Sequence, residues 1–227
     1  MRIVFSFDDN HTLNMKLANL LEKYGYRATF FINIQPLWGH KGMNPADVIK
    51  LHSRGHEIAA HTVTHTPLIL QHKVNRIFEF SAGKERLRQL LRTDVLGFSY
   101  PKGQFTEEIK EETKAAGYVY ARATGEGNID PDTDRFAVVP TVQIYNDSYR
   151  RMLRIRRNIL EGDNFSYTGD WKRSCKKYIK QNRGLIHIWG HSWEIEKQGQ
   201  WIEFEDLLKW IKRNNYEVVN GLKDVIW

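Results

Sequence analysis

Ile3-Val4-Phe5-Ser6-Phe7-Asp8-Asp9, at the very start of the chain, is a short β-branched and aromatic run that closes on two carboxylates. Such a run reads as a buried strand, so the paired acids sit where a strand meets its loop, the edge at which α/β folds place their chemistry. Two further apolar segments, Ala28 to Asn33 and Glu57 to His61, read as the next strands and also end on polar residues. Between the first two lies Leu13 to Gly25, with leucines at helical spacing and a glycine at the stop, which makes a βαβ crossover. If the strands are parallel, their C-terminal ends gather Asp8, Asp9, His61 and His65.

The remaining pattern extends the same alternation. Val95–Tyr100, Tyr118–Ala123, Phe136–Val139 and Gly184–Trp189 read as strands, and Thr106–Gly117, Trp171–Asn182 and Phe204–Asn214 as helices. No Pro/Gly/Ser-rich linker, repeat or low-complexity stretch divides the 227 residues, so residues 1–227 are expected to form one α/β domain. With 41% hydrophobic residues and seven tryptophans the chain can build a large core, and no stretch approaches the roughly 18 uninterrupted apolar residues of a membrane span. The first strand begins too early to leave room for a signal sequence, which predicts a cytoplasmic protein or one whose leader has been removed. The single Cys175 cannot form an internal disulfide, which suits a reducing compartment.

A net charge of +7 suits an acidic partner, and basic residues cluster at Arg150–Arg157 and Lys172–Lys177. Met152, Leu153 and Ile155 in the first cluster have the spacing of a helix's buried side, however, and no phosphate loop or nucleic-acid motif accompanies either run. No nucleic-acid partner is expected.

His61-Thr62-Val63-Thr64-His65 sets two imidazoles about one helical turn apart, close enough to share one ion. With Asp9 they make a two-histidine, one-carboxylate set that leaves positions open for water and substrate, as a catalytic rather than a structural site requires. Neighbouring side chains on an extended strand point in opposite directions, so such a strand-end pair can turn one carboxylate to the metal and aim the other at a metal-bound water. Each feature also has a purely structural reading, in which the histidines fill a loop and the acids cap the following helix.

Taken together, Ser6-Phe7-Asp8-Asp9-Asn10, Ala28-Thr29-Phe30-Phe31-Ile32, Gly55-His56-Glu57-Ile58 and His61-Thr62-Val63-Thr64-His65 resemble, in order and separation, the motifs of the polysaccharide deacetylases of carbohydrate esterase family 4, the NodB homology domain. The resemblance implies an irregular (β/α) barrel of about seven parallel strands with its site at the strand C-termini. It implies a metal-dependent hydrolase that removes an N-acetyl group from an amino sugar of a glycan or glycolipid by attack of a metal-bound water. Asp8 would be the base, while Asp9, His61 and His65 would hold one divalent ion, zinc in most relatives, with cobalt, nickel or iron as alternatives. The family's third motif resembles Ser99-Tyr100-Pro101-Lys102-Gly103, which assigns Tyr100, Pro101 and Lys102 to substrate and the backbone amide at Lys102 to the oxyanion. Ser99 stands where the family has the arginine that pairs with the base, and Lys102 or another cation would have to supply that charge. The fourth motif has no counterpart near Ala121–Glu126. The fifth resembles Leu185 to His191, which makes His191 the general acid and His187 its alternative. Trp193 could stack on a sugar or line the acyl pocket, and no role falls to the loop residues His11 and His40. Other readings are an amidohydrolase of another small amide or ureide, and a carbohydrate-binding remnant without catalysis.

Overall fold

β1 (Arg2–Asp8) is the strand on which the sheet is built. In the computed structural model, which describes residues 1–127, 134–145, 170–181 and 184–226, β1 pairs in parallel along its whole length with β7 (Leu185–His191) and at its C-terminal half with β2 (Thr29–Ile32). Beyond β2 follow β3 (Glu57–Ala60), β4 (Gly97–Ser99) and β5 (Tyr120–Arg122), while β6 (Val142–Gln143) lies outside β7. The order is therefore β5-β4-β3-β2-β1-β7-β6, seven parallel strands as expected, with the two-residue β8 (Glu217–Val218) pairing β1 at Arg2 and Ile3.

Side-chain alternation separates two cores. Ile3, Phe5 and Phe7 of β1, with Phe30, Ile58, Phe98 and Ile188, face the helices. There they meet Leu17 and Leu21 of α1 (Asn14–Lys23), Val48 and Leu51 of α2 (Pro45–Ser53), Phe80 and Leu87 of α3 (Lys73–Leu91), and Ile109 of α4 (Glu107–Ala115). α5 (Trp171–Gln181) adds Cys175 and Ile179, and α7 (Trp201–Arg213) adds Phe204, Leu207 and Ile211; between them α6 (Ser192–Lys197) continues directly from β7. Residues of opposite parity point inside the curled sheet, where Val4, Phe31, Ala59, Tyr120, Val138, Leu222 and Ile226 pack together. Gly97 is required there, because a Cβ would lie 2.2 Å from the Tyr120 ring.

The expected strand Phe136–Val139 does not form. Val138 makes one parallel bridge to Arg122, and only past Pro140, which has no N–H to give a ladder, does Val142–Gln143 pair with β7. This short segment thus bonds to both open edges of the sheet, through Val138 N to Ala121 O at 3.0 Å on one side and Thr141 N to His187 O at 2.8 Å on the other. α2 and α3 were not read from the sequence. α2 carries a complete capping box, Asn44 and Asp47, followed by proline at its first turn; α3 has almost no one-sided apolar stripe. The run Arg150–Arg157, read as a helix, lies outside the described residues. The basic residues of the run Lys172–Lys177 lie on the outer side of α5, whose Trp171, Ser174, Cys175, Tyr178 and Ile179 are buried. No helix among the described residues is long and apolar enough to cross a membrane.

Candidate active site

At the C-terminal end of β1 the alternation stops. Asp9 has φ +74°, so the chain turns back at once and both carboxylates enter one cluster, rather than pointing in opposite directions as an extended strand would have them. Hydrogen bonds hold the turn: Asn14 Nδ2 donates to Asp9 O at 2.8 Å, Asn10 N to Asn33 Oδ1 at 2.7 Å, and Met43 N to Asn10 Oδ1 at 2.8 Å. The His61–His65 segment is not helical either. Thr62 and His65 both have positive φ (66° and 62°), and the loop is clamped by the buried Glu79 of α3, which accepts from Val63 N (2.7 Å), Thr64 N (3.0 Å) and Thr64 Oγ1 (2.6 Å). The imidazoles meet because of this looped backbone, with ring centroids 4.7 Å apart.

Asp9, His61 and His65 are all buried, and each offers a ligand atom within 4.8 Å of the others. His65 Nε2 lies 3.5 Å and His61 Nε2 3.9 Å from Asp9 Oδ1, an oxygen with no hydrogen-bond partner although it is buried. His61 Nδ1–H donates to Ser99 O at 2.7 Å, which leaves the Nε2 lone pair facing the carboxylates. Burial pushes both imidazoles down, His65 to about 4 with the help of neighbouring His61, so both are neutral at physiological pH. Neutral imidazoles around an orphaned carboxylate oxygen suit a divalent cation.

Asp8 lies beside this set, its Oδ2 3.8 Å from His61 Nε2. The missing third-motif cation is supplied by a residue that the sequence reading passed over: Arg122 of β5, fully buried, donates from Nη2 to Asp8 Oδ2 and to Ser99 Oγ at 2.8 Å. Ser99 and Arg122 are register partners on adjacent strands, so the guanidinium enters from one strand further along the sheet. Its plane is held between Phe31 and Trp189, 5.0 and 4.6 Å from their ring centroids. Burial raises the Asp8 carboxyl, but Arg122, His61 and His191 outweigh it and hold the group below its ordinary value. Lys102, offered as a substitute cation, is exposed and near His65 rather than bonded to Asp8. The signal for Arg122 was a lone charge of inward parity in the buried strand Tyr118-Val119-Tyr120-Ala121-Arg122.

His191, at the end of β7, has Nε2 3.9 Å from Asp9 Oδ2, and its Nδ1–H donates to Glu194 at 2.6 Å. Burial would lower its pKa, but Glu194 and the Asp9 and Asp8 carboxylates raise it above the ordinary value. Glu194, three residues on in the first turn of α6, is the carboxylate paired with His191. His187 lies deeper, bonded through Nε2 to Ser6 Oγ at 2.7 Å, and burial together with the Arg122 charge pushes it down to about 3. His187 is thus buried with its Nε2 engaged by Ser6, whereas His191 lies beside Asp9.

Trp193 borders the site, its indole Nε1–H donating to Asp9 Oδ2 at 2.9 Å and its ring lying 4.9 Å from that of His40. His40 in turn meets His11 at 5.3 Å. Tyr100 does not reach the substrate side: it is fully buried, stacked on Phe105 at 4.6 Å, donates its hydroxyl to Phe136 O, and its amide is used by Arg122 O. Pro101 is buried under it, whereas Lys102, at φ +59°, remains at the rim.

Residues 1–121, just over half of the chain, match the profile of the polysaccharide deacetylase family, and the chain belongs to that family of glycan-deacetylating hydrolases. No curated protein matches it. Among solved structures it is similar to the Bc1960 peptidoglycan N-acetylglucosamine deacetylase (16% identity, TM-score 0.65, covering 99% of this chain and 87% of that one). It is also similar to a family 4 acetyl xylan esterase from Clostridium thermocellum in complex with a cobalt ion (14%, TM-score 0.66, 99% and 90%). A third similarity is to a polysaccharide deacetylase from Bacillus cereus (22%, TM-score 0.54), of which this chain covers 46% of the length and is itself covered over 61%. These structural likenesses show a shared fold.

Proposed function

We propose that the protein is a metal-dependent N-deacetylase of amino-sugar glycans or glycolipids. The observation that carries the reading is the convergence of an arginine-held Asp8 on the same point as Asp9, His61 and His65. A divalent ion held by those three residues, zinc by family resemblance, would supply Lewis acidity to the amide carbonyl and to the attacking water. Asp8, ionised by Arg122 and with Oδ1 unpartnered, takes the water's proton. The Lys102 backbone amide stabilises the oxyanion, and His191, whose protonated form Glu194 favours, donates its proton from Nε2 to the amine as the amide C–N bond breaks. Acetate and a free amine result. Trp193 shields one side of the site and holds Asp9.

An N-acetyl amino sugar fits the family better than a ureide, and a binding remnant would have no use for a base held by a dedicated, fully buried arginine. Acetate release from N-acetylglucosamine oligomers, with the protein stripped of metal and reloaded with zinc, cobalt or nickel, tests the reading. Asp8→Asn should abolish turnover while retaining metal, and His61→Ala should lose both. Metal retention with normal activity in His61→Ala would end the metal assignment, and uptake of metal without acetate would redirect the search to other acyl amides.

A further inference from the structure

β7 runs into α6 through His191-Ser192-Trp193-Glu194, of which the first and last are the candidate acid and its carboxylate partner. The two residues between them both reach Asp9. Ser192, fully buried, donates from Oγ to Asn14 Oδ1 at 2.6 Å, and the same Asn14 amide, also fully buried, donates from Nδ2 to the Asp9 carbonyl at 2.8 Å. Trp193 donates from its indole Nε1 to Asp9 Oδ2 at 2.9 Å. The start of α6 therefore grips the backbone of Asp9 through Asn14 and the carboxylate directly, although Trp193 and Asp9 stand 184 residues apart in the chain.

This grip gives the two carboxylate oxygens different surroundings. Oδ1 faces His65 Nε2 at 3.5 Å and His61 Nε2 at 3.9 Å and has no hydrogen-bond partner, whereas Oδ2 accepts from the indole and lies 3.9 Å from His191 Nε2. A hydrogen bond to an ionised carboxylate is roughly twice as strong as one between neutral groups. An indole N–H is a donor and nothing else, so an ion approaching Oδ2 would have to displace it. The ring is itself held in place: His40 meets it at 4.9 Å with the planes 67° apart, and His191 at 5.3 Å with the planes 39° apart.

We propose that Trp193 is a positioning residue for Asp9: by occupying Oδ2 it turns Oδ1 alone toward the ion that Asp9, His61 and His65 hold, and so leaves room at that ion for water and the amide carbonyl. The proposal rests on the metal-dependent reading of the site. A carboxylate left free to rotate can offer both oxygens to a cation and fill a place that water or substrate needs. Partners that orient ligating side chains in this way are typically worth about 10- to 100-fold in metal affinity. Because His191 and Trp193 flank Ser192, the same clamp also sets the acid beside the ligand. What the indole contributes is its N–H and not its face, and suitable variants separate the two.

Binding of zinc and of cobalt to metal-stripped protein is to be measured by titration calorimetry, and the visible absorption of the cobalt-saturated protein recorded, for wild type, Trp193→Phe and Trp193→Gln. Phenylalanine keeps an aromatic ring without the N–H, and glutamine keeps an N–H donor without the ring. Trp193→Phe should bind zinc about ten-fold or more weakly and show an altered cobalt spectrum, which reports the arrangement of ligands around the ion. Trp193→Gln should recover part of the affinity and return the spectrum toward that of wild type. At saturating metal, acetate release by Trp193→Phe should show a lower kcat with KM little changed. Wild-type affinity and spectrum in Trp193→Phe, or a loss in Trp193→Gln at least as large as in Trp193→Phe, would overturn the role of the N–H. A loss confined to KM would likewise overturn it and make the indole a substrate surface. If the metal measurements come out as expected but wild type releases acetate from no N-acetylglucosamine oligomer, the deacetylase reading fails and the positioning role stands. Wild type that takes up neither ion overturns both.

Discussion

Glu194 and Asp8 set the protonation states on which the proposed chemistry depends. Asp8 is held below its ordinary value by Arg122 and the neighbouring imidazoles against the effect of burial, so its ionised form persists into acid. His191 is raised against burial chiefly by Glu194, so its charged form persists further toward alkaline pH. A general acid must carry its proton, and kcat/KM should therefore fall on the alkaline side as His191 deprotonates. Glu194→Gln removes the raising carboxylate: the alkaline limb should move to lower pH, with activity at pH 8 down about ten-fold and the acid limb in place. An unmoved alkaline limb in a pH–rate profile would show that Glu194 does not act through His191. The two positive-φ residues of the second motif, Thr62 and His65, belong to the same scale, since their conformation decides where both imidazoles point.

Strands determine which residues can meet across the site. β4 brings Ser99 to the position where relatives carry arginine, and β5, in register with it, brings Arg122 to the same carboxylate. Arg122→Met should lower kcat about 10²-fold with little change in KM, and should also destabilise the fold by leaving Asp8 buried and unpaired. Arg122→Lys keeps the charge but loses the fork that spans Asp8 and Ser99, and separates the two effects: a folded protein with reduced kcat and an acid limb shifted to higher pH is expected. Moving the cation back, as Ser99→Arg with Arg122→Ser, should regain part of the lost rate. Full activity of folded Arg122→Met, checked by thermal unfolding beside the kinetics, would remove the arginine from the mechanism.

For the molecule as a whole, the far end of the curled sheet carries its own buried polar plug. Glu57 accepts from Thr29 Oγ1 at 2.6 Å and Lys223 N at 3.2 Å and bonds Tyr120 Oη at 3.0 Å, yet burial still raises its carboxyl above the ordinary 4.5. A carboxyl whose folded pKa exceeds its unfolded one binds more protons in the native state, so stability falls as pH rises from about 4.5 through the folded value. Glu57→Gln keeps the shape and an acceptor, and should be more stable than wild type by about 1 kcal/mol at pH 8, with the gap closing toward pH 4 in urea unfolding. A gap independent of pH would contradict this account. From the sequence, β1 to β3, α1 and the four residues Asp8, Asp9, His61 and His65 were legible, because alternation, helical spacing and motif order are properties of neighbours along the chain. Phe136–Val139 misled because Pro140 breaks the ladder, and α3 was missed because its apolar residues are not confined to one face. Arg122, Glu194, the burial of Tyr100 in the helix-facing core and that of His187 inside the sheet became visible only in the folded chain. Their roles depend on strand register, on the parity of each side chain relative to the curled sheet, and on the left-handed turns at Asp9, Thr62 and His65. The sequence by itself determined the family, the strand-ending acids and the paired histidines; only the tertiary structure decided which cation pairs with Asp8 and which carboxylate pairs with His191, since the first arrives from a strand distant in sequence and the second depends on the turn from β7 into α6.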